Sequence, residues 1–169
     1  MTDKIQTRLS DGLEHLALGE ADTILIAGMG GGLVIHILSE HPKVAQAAKE
    51  MILQPQSEVY EVRKFLYDEG YETLSEDMVL EDGKFYPMMK VRYAKNESFA
   101  RKSPTLAQLY FGELLLESKH PVLQEFLQRE CRIQQEVLET LQAQKRTDAI
   151  EKRIEEVSAY LHVIRGCII

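Results

Sequence analysis

A chain of 169 residues, 44% of them hydrophobic and with a mean hydropathy of −0.24, is long enough for one domain with a real core plus an appendage. It has no run of roughly 18 apolar residues and no apolar stretch in the opening MTDKIQTRLSDG, so a membrane-spanning helix and a secretory leader are not expected. The net charge of −7 is uneven, with 9 Lys/Arg against 16 Asp/Glu in residues 1–93 and 11 of each in residues 94–169, which excludes a global basic signature of nucleic-acid binding.

The elements follow in chain order. Ile5 to Leu9 is a short apolar run that reads as the end of a strand. ADTILIAGMG, with Ile24, Leu25 and Ile26 in a row, reads as a strand buried on both faces. Residues 33–50 read as a helix interrupted near Pro42, and MILQP at 51–55 as a second buried strand stopped by Pro55. Ser57 is placed to cap the next helix, whose stripe is Val59, Val62, Phe65 and Leu66, with Gly70 as its stop. YETLSEDMVLEDG and KFYPMMKVRYA are extended runs around the turn signal Asp82-Gly83, which predicts a β-hairpin. Together these predict an α/β sheet, parallel with an antiparallel edge.

From Ser103 the texture changes. Ser103-Pro104 and His120-Pro121 are helix starts, and after Pro121 there is neither Gly nor Pro until Gly166. Ile150, Ile154, Val157, Leu161, Ile164 and Ile168 step by 4, 3, 4, 3 and 4, a heptad seam. Leu123, Phe126, Leu127, Ile133, Val137, Leu138 and Leu141 make a looser stripe before it, and the polar QAQKRTDA between them is short enough to reverse direction, with Thr147 as a cap. An antiparallel coiled-coil hairpin is predicted, in which Ile154, Val157, Leu161 and Ile164 face Phe126, Ile133, Val137 and Leu141. The expected division is a sheet domain over 1–94 and a helical coiled-coil domain over 103–169, joined at AKNESFARKS.

Gly28, Gly30, Gly31 and Gly32 lie within five residues at the end of the first clear strand. Leu33 occupies the third position of a G-x-G-x-x-G pattern, and no Walker lysine follows. A plain strand-to-helix turn needs one or two glycines, so the surplus points to a ligand met by main chain at a strand end. Asp11-Gly12 can accept hydrogen bonds from a base or amine edge, although taken alone a helix cap or turn explains it better. Gln54 can hydrogen-bond a planar substrate edge while Pro55 fixes its turn. Asp11, Gly28 to Gly31 and Gln54 are expected to converge at one edge of the parallel sheet.

Other chemistry is poorly supported. His36 and His41 are five apart, off a shared helical face, and His15, His120 and His162 sit in separate segments, so no metal site is expected. Cys131 and Cys167 are far apart and form no C-x-x-C, which argues against a disulfide framework and for a reducing cytoplasm. Basic pairs at Arg101-Lys102, Lys145-Arg146 and Lys152-Arg153, and Arg63-Lys64 in an acidic helix, read as solvated faces on charge alone.

RLSDGLEHLALGEADTILIAGMGGGL, MILQPQSEVYEVRKFLYDEGYE and EDGKFYPMMKV together resemble the bacterial tRNA adenine-22 N1-methyltransferase family, from about Arg8 to the end of the chain. The resemblance implies an S-adenosylmethionine-dependent enzyme with a Rossmann-like (class I methyltransferase) sheet and a C-terminal helical coiled coil, acting on tRNA. It implies that Asp11, Gly12 and Leu13 line the cofactor's adenine, with Ala27, Gly28 and Met29 also on the cofactor. Gly28, Met29, Gly30 and Gly31 then form the catalytic loop, and Gln54 and Pro55 lie on the substrate side. Backbone carbonyls around Gly28 to Gly30 are expected to hold the target adenine's amine. The coiled coil is implied to help hold tRNA, for which Lys102, Lys119, Arg129, Lys145 and Arg146 are the basic candidates. Family members begin with further strands that grip the methionine end and ribose of the cofactor. This sequence starts at what would be the third strand, so the sheet is expected to be N-terminally truncated, to bind the cofactor poorly and to self-associate through an open edge. Two rival readings are a non-catalytic coiled-coil interaction protein carrying a remnant sheet, and a different α/β enzyme holding a nucleotide such as NAD on the glycine turn.

Overall fold

The computed structural model describes residues 4–94 and 102–169, which leaves Arg101 and most of the expected 94–103 boundary outside the described residues. The described chain forms two compact units. The first takes the chain up to Asp77 and Tyr86–Lys102, and the second takes Met78–Phe85 and Ser103–Ile169. The tip of the hairpin thus counts with the helices.

The first unit contains β1 (Thr23–Met29), α1 (Gly31–Glu40), α2 (Pro42–Ala47), β2 (Glu50–Pro55), α3 (Val59–Glu69) and most of the hairpin β3 (Tyr71–Glu81) and β4 (Lys84–Tyr93). The sheet order is β1-β2-β4-β3, with β1 parallel to β2 and β4 antiparallel to it. Register aligns Ile24 with Met51 and Ile26 with Leu53, and then Met51 with Val91 and Leu53 with Met89. All six are buried in one cluster with Val34, Ile37 and Leu38 of α1 and Val62 and Leu66 of α3, so both helices cover the same face.

The other face corrects the sequence reading of β1. Leu25 is 67% exposed, and with its register partner Ile52 and with Lys90 it lies on the side that α1 and α3 leave open. That side also carries the Glu50–Lys90 ion pair at 3.1 Å. An apolar triplet cannot tell one covered face from two. Residues 5–10 are not a strand either: Leu9 is 99% exposed, and no neighbouring strand is at hand to cover it among the described residues. Arg8 ties this arm down by donating to the His15 carbonyl at 2.9 Å and to Glu20 Oε2 at 2.8 Å. The Arg8 hydrogen bond and the Ala17 N–H hold the Glu20 carboxyl at about 2.

Local sequence explains the remaining turns. Gly70 stops α3 with φ 87°, its N–H bonded to the Leu66 and Tyr67 carbonyls. Asp82 and Gly83 have φ 48° and 74°, the paired left-handed residues of a tight hairpin. Ser57 does not cap α3. The N-cap is Glu58, and no side chain caps it. Arg63 is not a solvated charge: its Nε and Nη2 lie 3.0 Å from Glu76 Oε1, with the two side chains 8% and 2% exposed. Burial lowers the Arg63 pKa, and Glu76 works in the opposite direction.

The second unit holds α4 (Leu106–Phe111), α5 (Glu113–Glu117), α6 (Pro121–Gln142) and α7 (Asp148–Arg165). α4 begins two residues after the expected Pro104 because Thr105 and Gln108 form a capping box. Pro121 opens α6, and Thr147 Oγ accepts the Ile150 N–H to cap α7. The pair is antiparallel: Gln124, near the start of α6, donates to the Cys167 carbonyl and accepts from the Ile169 N–H, both at 3.1 Å. Leu123, Leu127 and Ile164 bury against Phe111, Leu115 and Met78, and Phe126 packs beside them.

Val157, Leu161 and Ile164 are buried as the heptad seam requires, but Ile133 is 39% exposed. It lies off the line of Leu123, Leu127 and Cys131, which step by four along α6. Val137 and Leu141 are half-buried, since two helices alone cannot enclose a stripe. Leu161→Ala is expected to destabilise the protein by about 2–5 kcal/mol and Ile133→Ala by less than about 1 kcal/mol, read by urea unfolding. Among the described residues no helix is long and apolar enough to cross a membrane, and no cluster of three or more His, Cys, Asp or Glu is placed to hold a metal ion.

Candidate functional site

Past the ends of β1 and β2, the two following loops run side by side and are joined at four places. Gln54 Oε1 accepts the Gly28 N–H at 2.8 Å, and the Met29 carbonyl accepts the Gln56 N–H at 2.8 Å. The Ser57 carbonyl accepts the Gly31 N–H at 3.1 Å, and Glu58 Oε2 accepts the Gly32 N–H at 2.9 Å. Two of the three expected strand-end elements are therefore one structural unit, with the Gln54 side chain pinned to Gly28. Pro55 is buried beneath, aligned with Met29 across a register shift between Ala27 and Met29.

The glycines divide by cause. Gly28 has φ 76°, a left-handed backbone, and a Cβ there would meet only Gln56 Nε2 at 3.8 Å, so space in front of it is open. Gly31 has no such space: a Cβ would lie 2.6 Å from the Ser57 carbonyl oxygen and 2.8 Å from that of Glu58. At Gly30 the nearest atom is Ser57 Oγ at 3.2 Å, and at Gly32 it is Glu58 Oε2 at 3.4 Å. Close packing of two loops thus accounts for Gly31, which sequence reasoning had credited to a ligand. The expected carbonyl contacts also narrow. The Gly30 carbonyl already accepts the Leu33 and Val34 N–H groups, and that of Met29 is taken by Gln56. Ala27, Gly28 and Met29 remain exposed at the strand end.

Asp11 and Gly12 do not join this unit. They line a separate cavity of ≈ 310 Å³ with Glu14, His36, Ile37, Glu40 and His41, in the C-terminal half of α1 and just beyond it. A Cβ on Gly12 would touch Ile37 at 3.1 Å, and Leu13 is buried in the core, where its side chain serves packing. The arm that carries Asp11 is a run of turns, so it does not end where a strand would have placed it. The basic candidates are dispersed as well. Lys145 and Arg146 are exposed in the turn between α6 and α7, while Lys119 precedes α6, whose 22 residues span about 33 Å. Arg129 is engaged: it donates to the Gly83 carbonyl at 2.7 Å and stands 5.6 Å over the Phe85 ring. Lys102 is exposed beside the undescribed stretch. Glu58 is the residue sequence reasoning missed, since nothing in its neighbourhood marks a glutamate for a left-handed backbone.

Residues 1–165 match the model of the tRNA (adenine(22)-N(1))-methyltransferase family. The chain belongs to this family. A Bacillus subtilis (strain 168) member, tRNA (adenine(22)-N(1))-methyltransferase, is 28% identical over 168 residues, which are 99% of this chain and 71% of that protein. Its crystal structure superposes with a TM-score of 0.86 over 99% of this chain and 72% of its own. A Streptococcus pneumoniae protein solved in complex with S-adenosyl-L-methionine is 25% identical, with a TM-score of 0.83 over 99% of this chain and 70% of its own. A Listeria monocytogenes structure at 24% identity and a TM-score of 0.90 shares the fold. The α/β sheet followed by a helical unit is thus the architecture of this methyltransferase family.

Proposed function

We propose that this chain transfers the methyl group of S-adenosyl-L-methionine to N1 of adenine 22 in tRNA. The observation that carries the reading is the joined pair of loops at the ends of β1 and β2, in a chain matched to the family over residues 1–165. The open space before Gly28 and the exposed Ala27 and Met29 fit one wall of a pocket for that cofactor. Asp11 and Gly12 fit it less well, being in a cavity of their own.

When bound, the cofactor supplies an electrophilic methyl on a sulfonium. Adenine N1 is neutral near pH 7 and keeps a lone pair, so the residues of the chain need no strong base. Their work is to place N1 in line with the methyl, close to a near-attack distance of about 3 Å. N1 lies on the Watson–Crick edge, so the base enters unpaired or flipped out. With the Met29 and Gly30 carbonyls engaged, the amine contact falls to Gly28. The Gln54 amide supports that backbone, its oxygen accepting the Gly28 N–H at 2.8 Å and its NH₂ donating to the Pro55 carbonyl at 3.4 Å.

The test is incubation of the chain with S-adenosyl-L-methionine and unmodified tRNA, followed by nucleoside mass spectrometry. N1-methyladenosine is expected in wild-type tRNA and not in a transcript with guanine at position 22. Equal modification of both, or none with the cofactor demonstrably bound, refutes the reading. On the RNA side, Lys145→Glu with Arg146→Glu is expected to weaken tRNA binding and flatten its log–log salt dependence by about one unit per lost phosphate contact. Unchanged affinity and slope in filter binding place the RNA surface elsewhere. The outer edge of β1, unpaired among the described residues and flanked by exposed Leu25, supports self-association, read by sedimentation.

A further inference from the structure

We propose that Glu58 is a positioning residue of the methyl-transfer site, holding the glycine turn through the first turn of α1. This rests on the reading of the β1 and β2 loops as that site. α1 starts without a cap of its own, because its N-cap is Gly30, which has no side chain to accept from the first N–H groups. The missing acceptor arrives from the facing loop, where Glu58 Oε2 takes the Gly32 N–H at 2.9 Å. A carboxylate there also meets the positive end of the helix dipole. The same residue starts the next helix, since its main-chain carbonyl accepts the Val62 N–H at 3.1 Å. One residue therefore serves two helices, α1 with its side chain and α3 with its backbone.

Glu58 reaches this position at a cost. Its φ of 51° and ψ of 36° are left-handed, a conformation a glutamate adopts only where its surroundings hold it there. What holds it is the packing of Ser57 and Glu58 over Gly31, where a Cβ on Gly31 would come within 2.9 Å of the Glu58 Cβ and closer to both carbonyl oxygens. A residue needed only to cap α3 has no reason to be a long acid in a left-handed backbone, for which Asn or Gly is better suited. A carboxylate that must reach Gly32 has that reason. The hydrogen bond fixes the helix start, and the helix start fixes the Met29–Gly31 backbone, in which the Gly30 carbonyl is already bonded to Leu33 and Val34.

Three variants separate positioning from bulk stability. Glu58→Asn keeps a residue that tolerates the left-handed backbone but is too short to reach Gly32, and Glu58→Gly removes the backbone strain along with the acid. Glu58→Gln keeps the acceptor. Both short variants are expected to melt no lower than wild type, to lose amide-exchange protection at Gly32 by about fivefold or more, and to lose about tenfold in kcat with KM for tRNA unchanged. Glu58→Gln is expected to retain both within about threefold. Wild-type exchange at Gly32 in Glu58→Asn, or full kcat despite lost protection, overturns the proposal. If wild-type protein binds the cofactor but methylates nothing, the functional reading fails, and Gly32 exchange still decides whether Glu58 holds the turn.

Discussion

Gly31→Ala is expected to destabilise the protein by about 2–3 kcal/mol, while Gly32→Ala, one residue on, is neutral or stabilises by up to about 1 kcal/mol. The substitution and the helix are the same, and the difference lies in what the new methyl meets. At Gly31 it would stand 2.6 and 2.8 Å from two carbonyl oxygens of the loop after β2, main-chain atoms that cannot step aside without pulling on α3. At Gly32 the nearest atom is a carboxylate oxygen at 3.4 Å, at the far end of a side chain that can shift by a few tenths of an ångström, and alanine is the better helix former. The loop shift at Gly31 also breaks the Gly31–Ser57 hydrogen bond and disturbs its neighbour at Gly28, so methyl transfer falls with stability. Urea unfolding of the two variants side by side checks the sign. Equal losses at both positions refute the packing account.

The glycines show what a sequence carries and where it stops. Four in five residues announce an unusual backbone, and the strand before them and helix after them are plain from Ile24, Ile26, Val34 and Leu38. The sequence does not say which glycine answers to a ligand and which to packing, because Ser57 and Glu58 lie 26 residues away and meet Gly31 and Gly32 only once β1 and β2 are paired. Gln54 was legible as a strand-end amide, whereas its bond to Gly28 was not. The helical hairpin was legible down to Thr147 and Pro121, since heptads and caps are local signals. Ile133 was misplaced because a loose stripe fits two registers, and Leu123 and Leu127 settle which one packs. Asp11 was placed by treating Ile5 to Leu9 as a strand, and strandhood depends on a neighbour that five residues cannot specify.

Replacing Arg63 by Met is expected to destabilise the fold by about 3–5 kcal/mol, and replacing Glu76 by Met by a similar amount, whereas the double variant recovers most of the loss. The sequence hid this pair behind Lys64, which is exposed and bonds Asp68 at 2.6 Å one turn along. A signal was available: Val59, Arg63 and Leu66 fall on one side of α3, so the arginine stands in the apolar stripe rather than opposite it. From there it reaches Glu76 on β3, joining the helix that follows the site loop to the hairpin strand. Removing either partner takes the counter-ion from a charge that is almost fully shielded from water, and desolvation is the dominant influence on Arg63. Removing both leaves a nonpolar contact of similar volume, which a buried environment accepts. The interaction energy from the double-mutant cycle is therefore expected to be large, while the net worth of the pair against the Met–Met variant stays within about 1–2 kcal/mol. Additive losses in the double variant would mean that Arg63 and Glu76 stabilise α3 and β3 through other neighbours and not through each other.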